Sequence, residues 1–151
     1  MSQVMATRLP AGSELHALCG PADFLDCYSV ASTLGPRPAA EIVVAFPPWV
    51  HALLRLRHAL TAPFGLSQSG PAGPDMLGPF PVLREDAGEL VAGFDDRHLD
   101  FRISLLSEGG RIHLATWVHT HNPGGRLYLM AVMPFHILVA RNALARVAAA
   151  G

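Results

Sequence analysis

Two alternating stretches joined by a glycine-rich turn constrain this chain more than any other feature. Apolar and polar residues alternate from Arg97 to Leu106 and again from Arg111 to His121, with Ser107-Glu108-Gly109-Gly110 between them. A period of two puts successive side chains on opposite faces of a strand. Two such runs around a Gly-bearing turn read as an antiparallel hairpin. With an even-length turn, Leu99, Phe101, Ile103 and Leu105 share a face with Ile112, Leu114, Thr116 and Val118. That face is almost wholly apolar, so it forms the core or lines an apolar cavity.

Downstream, Asn122-Pro123-Gly124-Gly125 reads as a second turn and Leu127 to Met133 as a third strand. The segment 97–133 is then a three-stranded meander, with Leu127, Leu129, Ala131 and Met133 joining the apolar face. The opposite face carries His98, Asp100, Arg102, His113, Trp117, His119 and His121, together with Tyr128, Met130 and Val132. From Phe135 the period becomes helical through Ile137, Leu138, Leu144 and Val147, which suits a helix laid over the apolar face.

Upstream, residues 1–22 read as an irregular lead-in broken by Pro10, Gly12, Gly20 and Pro21, and Asp23 to Thr33 as a strand. Ala39 to Phe46 reads as a short helix cut by Pro47-Pro48, and Trp49 to about Ala62 as a second, with Val50, Leu53, Leu54, Leu56 and Leu60 at helical spacing. Residues 63–81, with five Pro and four Gly, read as a long loop. Short strands are expected at 82–85 and 89–94. The fold class is α+β: an antiparallel meander, a helix pair after the first strand, and a long C-terminal helix packed on the sheet, all in a single domain over 1–151.

Composition narrows the function classes. Half of the residues are hydrophobic and 15% are charged, too apolar for a disordered chain. Every basic residue is Arg and the formal charge is −1, with no basic stripe of the kind a nucleic-acid binder carries. No apolar run reaches the roughly 18 residues of a membrane span, and residues 1–10 lack the pattern of a secretory signal. A cytoplasmic protein is expected. Cys19 and Cys27 read as small buried residues of a reducing compartment, a disulfide being the alternative.

Several stretches resemble a bacterial domain family of unknown function, numbered 2867. They are Asp23-Phe24-Leu25-Asp26-Cys27-Tyr28-Ser29-Val30, Pro48-Trp49-Val50, Leu56-Arg57, Phe64-Gly65-Leu66, His98-Leu99-Asp100-Phe101-Arg102, Gly125-Arg126-Leu127-Tyr128-Leu129 and Pro134-Phe135-His136. The resemblance runs from about residue 8 to 147, and its specificity lies in the order of short motifs. Some members of that family carry an epimerase-like domain, which this chain lacks. The strand order is also similar to the helix-grip superfamily of plant allergens, lipid-transfer domains and polyketide cyclases, with one strand fewer. The resemblance implies a fold and brings no established activity.

The expected function is binding of a small hydrophobic molecule in an apolar cavity between the sheet and the C-terminal helix. Trp49, Arg57, Phe101, Thr116 and Tyr128 are the expected ligand-binding residues. Arg57 sits among leucines, where its head can anchor a ligand anion or form a salt bridge to Asp26 or Asp100. One alternative is an enzyme of polyketide-cyclase or isomerase type, with His98, Asp100, His119 and His121 as weak catalytic candidates. The second is a structural dimerising module. The spacing of the histidines is weak evidence for a metal, so no metal and no cofactor is expected. A homodimer is expected through Trp117, Tyr128, Met130 and Val132, and neither nucleic acid nor membrane is an expected partner.

Overall fold

A computed structural model describes residues 3–64, 75–78, 80–96 and 98–151. Among them, β1 (Met5–Ala6), β2 (Phe24–Ala31), β3 (Met76–Leu77), β4 (Phe80–Glu85), β5 (Glu89–Asp95), β6 (Leu99–Glu108) and β7 (Arg111–Thr120) form one antiparallel sheet, in the order β1-β2-β7-β6-β5-β4-β3. Helices α1 (Pro36–Val44) and α2 (Pro48–Thr61) follow β2, and α3 (Pro123–Ala150) closes the chain. The Pro/Gly-rich loop expected at 63–81 falls largely outside the described residues.

The hairpin is as its alternation requires. Phe101 pairs with Val118, Ile103 with Thr116 and Leu105 with Leu114. Gly109 and Gly110 close it with φ of 62° and 73°, the left-handed pair that a two-residue turn between twisted strands demands. Leu105, Ile112 and Leu114 are buried with Tyr28, Val30, Leu90 and Ala92, under Ala39, Ala40 and Val43 of α1 and Ala140, Ala143, Leu144 and Val147 of α3. Alanines at four of these helix positions let both helices approach the sheet closely. Arg146 of α3 then donates to the carbonyls of Ile42 (2.6 Å) and Ala45 (2.8 Å), closing the C-terminus of α1 and tying the two helices together.

The third strand of the expected meander is absent: residues 127–133 lie inside α3. Asn122-Pro123 is a helix start, the Asn122 side chain accepting from Gly125 N at 2.9 Å and Pro123 taking the first helical position. Gly125 is required here, because a Cβ would lie 2.3 Å from the His98 carbonyl oxygen. Pro134 sits within the helix on its exposed side, so the run is not broken there either. One helix of 28 residues results, and by length and composition alone it is apolar enough to cross a membrane, which corrects the expectation that no run was long enough.

The opposite sheet face is covered within the chain. A 3-10 turn at Glu14–Ala17 lays Leu15 on Cys27, Val91, Ala115 and Trp117, with Leu9, Cys19 and Leu25 around them. Glu89, 3% exposed, holds this lead-in down. Its carboxylate accepts from Ser13 Oγ at 2.6 Å, from the Glu14 amide at 2.9 Å and from Ser104 Oγ. Cys19 and Cys27 are both free thiols, and burial pushes Cys27 up to about 12.

Candidate functional site

The two halves of α3 treat the sheet differently. Its buried side chains beyond Gly125 all lie from Ala140 onward, packed on the core. In the first half, Tyr128, Leu129, Val132, Met133 and His136 are only half-buried, and so are Phe24, Asp26, Phe101 and Ile103 on the sheet. These strand residues lie on the helix-covered face, because Phe101, Ile103 and Asp26 stand in register with Val118 and Thr116. Phe101 packs edge-on against Phe94 (centroids 4.8 Å apart) and Phe80 (5.2 Å), giving that end an aromatic floor.

Polar groups are few and specific. Arg57 of α2 donates from Nε to Tyr128 Oη at 2.7 Å, its guanidinium 5.4 Å from the ring centroid, so the pair joins α2 to the free half of α3. His136 Nε2 lies 2.9 Å from Asp26 Oδ2, across from α3 to β2, with Phe24 edge-on to the imidazole at 6.1 Å. Asp26 Oδ1 is buried and has no hydrogen-bond partner among the described residues. Beside these, an open depression of about 270 Å³ runs between Phe24, Val118 and Thr120 on the sheet and Arg126, Leu129 and Met130 on α3.

The residues expected to bind a ligand are thus spread over three elements. Phe101 and Thr116 lie on the helix-covered face, while Arg57 and Tyr128 meet each other above it. Trp49 stands apart, 42% exposed in the first turn of α2. Asp26 is bonded to His136 and Asp100 to His121, so the salt bridge expected for Arg57 is replaced by its contact with Tyr128.

His98, Asp100, His119 and His121 are elsewhere, at one end of the other face. Asp100 is in register with His119, and His121 N donates to the His98 carbonyl at 3.0 Å. His121 Nε2 meets Asp100 Oδ1 at 2.8 Å and His119 Nδ1 meets Asp23 Oδ1 at 2.6 Å, the two rings being 5.3 Å apart and nearly perpendicular. Asp23 also accepts from the Gly20 amide (2.8 Å) and from Trp117 Nε1 (3.0 Å). Its hydrogen bond to His119 leads in lowering the Asp23 value and in raising that of His119. These are two pairs that fasten strand ends and lead-in. Among the described residues no group of three or more His, Cys, Asp or Glu is placed to hold a metal. Arg102, on the same face, pairs with Asp95 at 2.8 Å.

Comparison with known families places residues 18–143 in the one described as protein of unknown function (DUF2867). The chain belongs to the DUF2867 family. Comparison with curated proteins and with solved structures returns no match to either.

The DUF2867 fold places one pair that sequence reasoning did not join. Asp26 and His136 are 110 positions apart, and each alone reads as an ordinary polar residue. Asp26 at the second position of an otherwise apolar helix-facing run, with Phe24, Tyr28 and Val30, was the available signal.

Proposed function

We propose that this DUF2867 protein binds a small apolar molecule between the helix-covered face of its sheet and the free half of α3, with α2 at the entrance. One observation carries the reading: α3 seals the sheet from Ala140 onward, while from Tyr128 to His136 it leaves Phe24, Phe101 and Ile103 only half covered. An apolar floor with a few placed polar groups is what small-molecule sites share. Thr116, Arg57 and Tyr128 supply those groups. The free thiols of Cys19 and Cys27 fit a cytoplasmic protein. Native mass spectrometry of the purified protein tests the reading: a small-molecule adduct lost on organic extraction supports it. A bare mass, together with failure of the protein to take up naphthalene, rules it out.

A second reading, a dimerising module, draws on a different surface. The face expected to pair is closed by the lead-in, with Trp117 only 6% exposed, and Tyr128, Met130 and Val132 belong to α3. An uncovered surface among the described residues is the outer side of α3, where Leu127 is 69% and Met130 73% exposed beside Phe135 and Leu138. A contiguous apolar stripe of this kind suits association of two copies. Light scattering separates the readings: a dimer that Leu127→Asp dissociates supports the module, and a monomer at high concentration removes it.

A further inference from the structure

We propose that the Asp26–His136 pair is a recognition site for a hydroxyl or N–H group on the bound molecule, so that the ligand is an apolar body with one hydrogen-bond donor. This rests on the apolar-site reading and names the chemistry that reading leaves open.

The argument starts from the hydrogen-bonding capacity of a carboxylate. Each oxygen accepts hydrogen bonds, and leaving one buried and unpaired is costly. Asp26 Oδ2 is engaged by His136 Nε2 at 2.9 Å, which makes that nitrogen the protonated donor. The imidazole therefore serves to orient the carboxylate, leaving Oδ1 as the open acceptor. Oδ1 is buried and unpaired among the described residues. Its surroundings are apolar on one side, where Phe24 packs on the imidazole. On the other, Thr116 is in register with Asp26 across the β2–β7 pair, so its side chain shares that face. The sheet offers an acceptor at this point and the helix fixes its direction. The depression lined by Phe24 and Leu129 opens between the same sheet face and the free half of α3, beside the neighbouring helix-facing residue of β2. An apolar molecule without a donor would leave Oδ1 unpaired. One carrying a hydroxyl or N–H would satisfy it, which is how a buried polar group discriminates between otherwise similar ligands.

The test compares 2-naphthol, 2-methoxynaphthalene and naphthalene by calorimetry. A purely apolar site favours naphthalene, because burying an unpaired hydroxyl costs free energy. The expected result is reversed: 2-naphthol binds at least about tenfold tighter than naphthalene, a difference that one buried hydrogen bond can supply, and the methyl ether, which cannot donate, binds like naphthalene. In Asp26→Leu, which removes the acceptor, the preference for naphthol over naphthalene is lost. If that variant fails to fold, the methyl ether in the native protein carries the test alone. Equal binding of all three overturns the donor site and leaves the apolar site standing. Retention of the naphthol preference in Asp26→Leu also overturns it. Binding of none overturns the apolar site and this inference with it.

Discussion

His136 of α3 reaches Asp26 of β2, Nε2 to Oδ2 at 2.9 Å, and ties the free half of the long helix to the sheet. Removing one partner alone strands the other. His136→Leu leaves a half-buried carboxylate without its donor, and a loss of about 1–3 kcal/mol is expected. The double variant His136→Leu/Asp26→Leu is expected to recover part of that loss, since two apolar groups of similar volume replace the pair. Urea denaturation of the three variants checks this; a double variant less stable than the single one contradicts it.

Leu114 lies 4% exposed at the centre of the helix-covered face, in register with Leu105 on one side and Tyr28 on the other. Leu114→Ala should cost about 2–5 kcal/mol, the usual loss for a cavity cut in a packed core. Thermal or chemical unfolding reads it, and a loss under about 1 kcal/mol would mean that the site collapses freely.

How far these elements could be read from the sequence follows from the local signals. The hairpin β6–β7 was legible because alternation and a Gly-Gly turn act locally, and the register of Phe101, Leu105 and Leu114 followed from parity alone. Residues 127–133 misled because they are apolar on every side: Leu127, Leu129, Ala131 and Met133 alternate by accident when no polar residue marks a helical face. Asn122-Pro123 fits both a turn and a helix cap, and only the close packing of Gly125 on His98 decides between them. The cover over Trp117 was hidden because the lead-in has no period, its one anchor being Leu15, and its fastening is a carboxylate, Glu89, from 75 residues away. Candidate histidines 98, 119 and 121 share a face as alternation requires, yet His119 and His121 are held by Asp23 and Asp100, and His98 by Asn122, partners that alternation does not reveal.

Glu89 predicts what loosening that lead-in does. Glu89→Ala leaves Ser13, Ser104 and the Glu14 amide without their acceptor. A destabilisation of about 1–3 kcal/mol is expected, with the lead-in released before the sheet unfolds. Trp117 emission should then shift to the red at denaturant concentrations where circular dichroism is still native. Coincident transitions by both probes would show the lead-in and sheet to be one unit.

The His119–Asp23 pair sets a pH signature. Folding raises His119 above its ordinary 6.5, so its contribution is complete below pH 6.5 and is lost as pH rises through the folded value. Folding lowers Asp23 below its ordinary 3.8, so its contribution is complete above pH 3.8 and is lost as pH falls through the folded value. The pair is therefore at full strength between pH 3.8 and 6.5. His113, lowered mainly by burial, acts in the opposite sense, because below pH 6.5 the unfolded chain takes its proton more readily. The imidazole of His119 is exposed, so its effect on stability is small and the titration itself is the readout. Proton NMR should place His119 above 6.5 in the native protein and nearer 6.5 in Asp23→Asn. No change between the two would show the pair to be absent in solution.

Mapping naphthalene onto the protein by amide and methyl NMR shifts tests the central claim most directly. Binding between the sheet and the free half of α3 predicts the largest shifts at Ile103, Thr116, Val132 and Met133, with Phe101→Asp abolishing them. Shifts confined to the outer side of α3 at Leu127 and Leu138, or none at saturating naphthalene, would contradict it.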